Sequence, residues 1–291
     1  MSLILVDIGN SAIKLNFVSS DVAAAVGSPL DASCKQLRIN DWSEFDFGQL
    51  PKAVCCWTIS CVDRAKLNEL STILDQAGRP QDQIRSVRRD AVALEVDVDQ
   101  PDAVGIDRLI GCLAVAQDLA DDEAAVVVDA GTAVTIDLVT GAGVFRGGVI
   151  YPGANASFLQ LNQQTAALPG LDYAQRKEMA AAWHALDAKA DGKSADSLMP
   201  WQRSTAAAIV AGVYRTQLAG LAQTVTQFRD ALPEPLSGNC RIVLTGGGID
   251  ELLAAGKVLN CQPSWIDEAA VVPNLIHDGL LSIHHRQLSG A

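Results

Sequence analysis

Aromatic side chains are scarce in this chain, at 5% of 291 residues, and charged ones make up only 19%. With so few rings and so much alanine, valine and leucine, the composition favours helix-covered sheets over a sandwich of many short strands. Positive charge is in the minority: 22 Lys and Arg face 34 Asp and Glu, for a net charge of -12. Such a surface repels nucleic acid and anionic membranes, whose binding rests on neutralising phosphates with lysine and arginine. A phosphorylated ligand therefore needs a local site of backbone amides, a metal ion or a few cations. No apolar run approaches the ~20 residues that span a bilayer. The opening MSLILVDIGN is too short an apolar stretch for a signal sequence, because Asp7 interrupts it. The cysteines, at 34, 55, 56, 61, 112, 240 and 261, are odd in number and loosely spaced, which excludes a disulfide framework. Cys55, Cys56 and Cys61 have neither a second CxxC pair nor a nearby histidine, which argues against a metal cluster. The expectation is reduced, buried thiols in a cytoplasmic protein without membrane or nucleic-acid partners.

Hydrophobic residues fill 49% of the chain, enough for a sizeable core, and the length suggests two domains. An internal echo supports this. Residues 2–18 read SLILVDIGNSAIKLNFV and residues 124–139 read AAVVVDAGTAVTIDLV; a shift of 122 lays Asp7 on Asp129 and Gly9 on Gly131. Each copy is a β-favouring run, an Asp-x-Gly bend and a second such run, the pattern of a hairpin turning at glycine. The predicted division is 1–120 and 121–291, each an α/β layer around one hairpin. Helices are expected at 65–77, stopping at Gly78, at 106–120, and after a Ser204 cap with the stripe Val210, Val213, Tyr214, Leu221, Val225 and Phe228. Residues 185–203 are expected to form a polar loop.

Three segments carry chemistry. In Asp7-Ile8-Gly9-Asn10-Ser11-Ala12-Ile13-Lys14, glycine lets backbone amides approach phosphate oxygens, and Asn10 and Ser11 add donors. Lys14 on the returning strand can reach a phosphate, and Asp7 can hold Mg²⁺ directly or through water. The second bend, Asp129-Ala130-Gly131-Thr132, turns an ordinary hairpin into one half of a duplicated phosphate clamp. Two such hairpins facing each other across a cleft, followed by a glycine turn such as Gly246-Gly247-Gly248 near the adenosine, resemble the sugar kinase, heat-shock ATPase and actin superfamily. The third segment, Gly105-Ile106-Asp107-Arg108, opens a helix. Its aspartate suits a base on a substrate hydroxyl, and its guanidinium suits a bidentate grip on a carboxylate.

Taken in order, these motifs resemble type III pantothenate kinases. Gly147-Gly148-Val149-Ile150-Tyr151-Pro152-Gly153, Thr165-Ala166-Ala167-Leu168-Pro169 and Pro273-Asn274-Leu275…Asp278-Gly279-Leu280 extend the resemblance over nearly the whole chain. It implies an actin-like duplicated α/β fold with ATP in the interdomain cleft. It also implies transfer of the ATP γ-phosphate to the pantothenate hydroxyl, giving 4'-phosphopantothenate, the first step towards coenzyme A. On this resemblance Asp107 is the general base, and Gly105, Ile106, Asp107, Arg108 and Thr205 line the pantothenate site. Residues Asp7 to Lys14 and Thr132 contact ATP. Asp129 ligates a monovalent cation, K⁺ or NH₄⁺, and Mg²⁺ accompanies the nucleotide. A homodimer is implied, with Gly147–Gly153 near the substrate. Two departures stand out: Gln202-Arg203-Ser204-Thr205 occupies the place of the family's Gly-Asn-Thr, and Val96-Asp97-Val98-Asp99 stands where some members have a tyrosine. The alternatives are a sugar kinase of the same superfamily and a non-catalytic regulator, which should have lost the base or a phosphate hairpin. His184, His277, His284 and His285 are too scattered for a metal site, and the last two are expected near a frayed C-terminus.

Overall fold

The computed structural model describes residues 2–19, 30, 34–176, 178–179 and 201–289. Most of the expected polar loop (185–200) and His184 lie outside these residues. The first sheet contains β1 (Ser2–Ile8), β2 (Ile13–Val18), β3 (Lys35–Ile39), β4 (Cys55–Cys61) and β5 (Gln83–Ser86), in the order β3-β2-β1-β4-β5. β1 and β2 form the expected antiparallel hairpin, with Ile8 opposite Ile13 and Asp7 opposite Lys14. β1 and β4 run parallel, with Asp7 opposite Ser60.

Strand alternation gives the sheet two different faces. Ile4, Val6, Ile8, Ile13, Leu15, Trp57 and Ile59 pack with Trp42, Leu70 and Leu74 into one core. Fully burying each such side chain contributes roughly 1.5–3 kcal/mol. Leu70 and Leu74 belong to α1 (Arg64–Gln76), which Asp63 caps through the amides of Ala65 and Lys66. The helix stops at Gly78 as expected, because φ there is +70° and Arg79 N–H closes back on the Leu74 carbonyl. The opposite face carries Asp7, Asn16, Thr58 and Ser60, all buried.

The second sheet repeats the strand order of the first. β7 (Ala124–Ala130), β8 (Ala133–Thr140), β9 (Val144–Pro152), β10 (Cys240–Thr245) and β11 (Ala270–Val271), with short β6 (Glu95–Val96), are ordered β11-β10-β7-β8-β9-β6. β7, β8, β9, β10 and β11 thus take the places of β1 to β5 in turn. The fold is the duplicated, actin-like α/β arrangement. The two hairpins differ in one respect: Gly9 N–H closes on the Ala12 carbonyl, whereas Gly131 N–H closes on that of Ala133. The second turn is one residue shorter, so the constant sequence offset fails beyond it.

By internal packing the chain forms two compact units. One comprises 1–125, 137–147 and 274–291; the other comprises 126–136 and 148–273. In the first, α2 (Ile106–Ala116) and the C-terminal α6 (Leu275–Ser289) pack together. Gly279 lets α6 approach α2, since a Cβ there would lie 2.4 Å from the Ile110 carbonyl oxygen. α6 also covers β1 and β4, which corrects the expected fraying of the terminus. His284 and His285 are buried, and His284 Nδ1 lies 3.2 Å from Thr58 Oγ1. The second unit holds α3 (Ala154–Gln164), α4 (Thr205–Ala231) and α5 (Ile249–Val258). Ser204 caps α4 through the Ala207 amide at 3.2 Å, as expected. All seven cysteines are free thiols, most of them buried.

Within α6, burial raises the Asp278 pKa to about 6, although its carboxylate accepts the Leu30 amide at 2.9 Å. A raised folded-state pKa means that the native state holds more protons than the unfolded one between pH 4 and 6. Stability therefore falls as pH rises through that window and stays reduced above it. Asp278→Asn keeps the acceptor oxygen and removes the charge. Chemical denaturation should show a gain of about 1–3 kcal/mol at pH 8, shrinking towards zero near pH 4. A loss at pH 8 would mean that the charged hydrogen bond outweighs burial.

Candidate active site

In the first unit, Gly9–Ala12 forms the tip between β1 and β2. A Cβ on Gly9 would sit 3.2 Å from the Ala12 carbonyl oxygen, so the bend favours glycine. Asn10 and Ser11 are exposed at the tip, while Ile8, Ala12 and Ile13 are buried. Those three can meet a ligand only through their backbone. Lys14 Nζ lies 3.4 Å from Asp7 Oδ2, across the strand pair. Asp7 is thus paired, and the two charges predicted to serve phosphates and cation neutralise one another at the base of the turn.

The same unit brings Asp107 close enough to Asp7 for their charges to interact. Asp107 stands in the first turn of α2, after the short turn Pro101–Ala103 and the helix-capping Gly105. Its Oδ1 accepts the Arg108 amide at 2.9 Å. A Cβ on residue 105 would fall 2.5 Å from that oxygen, so glycine keeps the carboxylate's place open. Burial raises the Asp107 pKa, and the Asp7 charge raises it further against the Arg108 amide bond. A carboxylate in this state is a stronger base than an ordinary aspartate.

Arg108 is placed differently from the expectation of a free fork. Its Nε lies 3.1 Å from both carboxylate oxygens of Asp137, and Nη2 also donates to Oδ1. The guanidinium lies over the Phe145 ring, 5.5 Å from its centroid. Asp137 is 2% exposed, so the pair is buried and its bidentate edge is taken. Sequence reasoning missed Asp137. Its only local signal is an acidic residue inside the apolar run Thr135-Ile136-Asp137-Leu138-Val139. It also missed Lys66 of α1, whose Nζ lies 3.2 Å from the Asn10 carbonyl oxygen and 3.4 Å from that of Gly9.

In the second unit, three glycines crowd the Asp129–Thr132 bend. A Cβ on Gly246 would lie 2.3 Å from Asp129 Oδ1 and 2.6 Å from the Ala130 nitrogen. Gly246 also has φ +98°, in the left-handed region. Gly248 N–H donates to the Ala130 carbonyl at 2.8 Å, and Gly153 N–H to that of Thr132 at 2.9 Å. A Cβ on Gly153 would come within 2.2 Å of the Gly131 carbonyl oxygen. Gly153 and Gly248 are the N-caps of α3 and α5, and neither cap offers a side chain to its helix amides. Two positive helix ends and the Asp129–Thr132 turn thus meet in one place, which suits an anion. Thr132 is exposed there. Thr205 is the exposed first residue of α4. On the edge next to β9, Glu95 and Val96 pair with Val144 and Phe145, and Gly147 packs against Val98. Residues 96–98 therefore stand beside Val144–Gly147, within the first unit.

The family profile described as type III pantothenate kinase matches residues 3–227. The type III pantothenate kinase of Rhodopirellula baltica is 30% identical over 96% of this chain and 97% of its own. That of Halorhodospira halophila is 32% identical over 96% of each. Among solved structures, the ethanolamine utilization protein EutJ from Carboxydothermus hydrogenoformans aligns with 98% of this chain and 89% of its own. It does so at 14% identity and a TM-score of 0.43. The duplicated sheets and paired Asp-x-Gly hairpins define an actin-like phosphotransferase. The chain belongs to the type III pantothenate kinase family.

The clearance around Asp107 gives a direct test. Gly105→Ala should leave the fold intact, with a melting temperature within about 3 °C, because only a side-chain oxygen must move. Displacing the carboxylate by about an ångström should lower kcat by roughly 10–100-fold. Unchanged turnover would separate Asp107 from the chemistry.

Proposed function

We propose that this protein transfers the γ-phosphate of ATP to the hydroxyl of pantothenate, giving 4'-phosphopantothenate. The carrying observation is Asp107: a carboxylate at a helix start, with its pKa raised by burial and by Asp7, and with space held open by Gly105. Phosphoryl transfer asks little covalent chemistry of a protein and depends mainly on positioning and charge. Asp107 accepts the hydroxyl proton as the oxygen attacks. The Asp7–Lys14 hairpin and Thr132 hold the nucleotide through backbone amides, Asn10, Ser11 and Lys14. Gly105, Ile106 and Thr205 line the acceptor side. Arg108 acts there through Asp137, holding the first turn of α2 and hence Asp107 in place.

Among the described residues no cluster of three His, Cys, Asp or Glu side chains could cage a metal. That donor set fits Mg²⁺ carried by phosphates and water with one carboxylate, Asp7. Asp129 fits a monovalent cation, K⁺ or NH₄⁺, because a single carboxylate at a bend rich in backbone carbonyl oxygens suits a weakly held, singly charged ion. The bound cations supply positive charge that an acidic protein lacks. A homodimer is supported by the exposed apolar side chains Val149 and Ile150 on β9, the latter 59% exposed, and Leu159 on α3, 61% exposed. The protein is proposed to work in the cytoplasm. Among the described residues no helix is long and apolar enough to cross a membrane, and the thiols are free.

ADP release with pantothenate, measured with and without K⁺, tests the whole proposal. Turnover should need pantothenate and rise with K⁺; no turnover in either condition overturns it. Asp107→Asn should lower kcat at least 10³-fold while ATP binding, followed by calorimetry, largely survives. Wild-type activity in that variant would end the base assignment. The pH profile adds a sign: only the ionised base works, so the acidic limb should lie above the ordinary carboxylate range. A limb at or below pH 4 would contradict the burial of Asp107.

A further inference from the structure

We infer that Lys66 is a second phosphate-side cation of this kinase, held in the first turn of α1 to brace the Gly9–Ala12 bend and to set its affinity for the ATP phosphates. The inference rests on the proposed role of that bend in nucleotide binding. It starts from the ladder. β1 and β4 are parallel, so both carboxyl ends reach the same edge, where ligands of α/β sheets bind. The Val62 amide donates to the Ile8 carbonyl at 3.1 Å, which carries the pairing to the doorstep of Gly9. Asp63 then turns the chain into α1 by capping Ala65 and Lys66. Trp42 Nε1 donates to the Lys66 carbonyl at 2.8 Å, fixing the backbone from the other side. Lys66 thus starts beside the bend rather than reaching it from afar.

Its ammonium meets two carbonyl oxygens of the bend, at 3.2 Å on Asn10 and 3.4 Å on Gly9. Carbonyl oxygens are the wrong polarity to face a polyphosphate. A cation that draws them to one side leaves the other side of the bend to its donors. The charge is also uncommitted in a way that Lys14 is not: Lys14 pairs with Asp7, whereas among the described residues Lys66 forms no salt bridge with a carboxylate. An ammonium whose hydrogen bonds go to neutral carbonyls, and whose charge otherwise only adds to the Ser43 hydrogen bonds in lowering the Asp41 pKa, keeps much of its field for an incoming anion. In a chain of net charge -12 that field is local, and the bend is where it acts.

Three variants decide the matter: Lys66→Met, which keeps the stem and removes the charge, Lys66→Arg, and Lys52→Met as an exposed control with the same change of net charge. Steady-state kinetics should show KM for ATP raised about tenfold in Lys66→Met, with KM for pantothenate and kcat within about twofold. Lys66→Arg should recover most of the ATP affinity, and Lys52→Met should match wild type. Calorimetry with Mg²⁺-ADP should show the same order of affinities. Equal ATP affinity in Lys66→Met and wild type overturns the inference while leaving the kinase activity standing. Parallel loss of both KM values and of melting temperature also overturns it, since a merely structural residue would act that way. A wild-type protein that binds no nucleotide would overturn both this inference and the proposed function.

Discussion

The buried pair between Arg108 and Asp137 is the interaction on which the start of α2 in the first unit depends. It ties the first turn of α2 to β8 through a bidentate contact, with the guanidinium over the Phe145 ring. Removing one partner of such a pair costs roughly 3–5 kcal/mol, because the other charge is left buried and unpaired. The pair also decides where Asp107 stands. The Arg108 amide that holds the Asp107 carboxylate is fixed by the side chain of the same residue. Gly105 completes the arrangement by leaving room for the carboxylate it precedes. A carboxylate in this position has its pKa raised by burial and by Asp7, which suits the proposed base.

The second unit relies on a different constraint, close approach of bare backbone. Around Asp129–Thr132, three glycines stand where any side chain would collide with carbonyl oxygens, an amide or the Asp129 carboxylate. This brings two helix N-termini onto one turn without side-chain caps. The partial charges of those ends and the amides of the turn can then serve an anion. The two bends thus have unlike surroundings. At the first bend stand side-chain charges, Asp7 with Lys14 and the ammonium of Lys66; at the second stand helix ends. The duplication lies in strand order, and the side chains around the two bends differ on top of it.

Much of this was legible because it is local. An Asp-x-Gly bend between two β-favouring runs is a short-range signal, and both hairpins formed. Gly78 ends α1 and Ser204 starts α4, since caps act within a few residues. The return of α6 to the first sheet was not legible. His284 and His285 read as tail residues, because nothing in their neighbourhood announces Thr58, far away in the chain, as a partner. Asp137 hid inside an apolar run for the same reason, and Lys66, within the expected 65–77 helix, carries no local sign that it reaches the first bend. The shorter second turn escaped notice because a constant offset matches residues, whereas hydrogen bonds decide where a bend closes.

By itself the sequence determined the acidic, ring-poor composition, the two hairpins, the helix caps and the ordered motifs that mark the family. These depend on residue type and on contacts a few positions apart. Tertiary structure alone decided that Arg108 is bound to Asp137 rather than left with an open fork. It also decided that Asp107 feels Asp7, that Lys66 lies on the first bend, and that the last helix covers the first sheet. Each of these joins segments distant in the chain, and only the packed core holds them at hydrogen-bonding range. The Asp-x-Gly bends could therefore be read from the sequence, while their charged surroundings needed the fold.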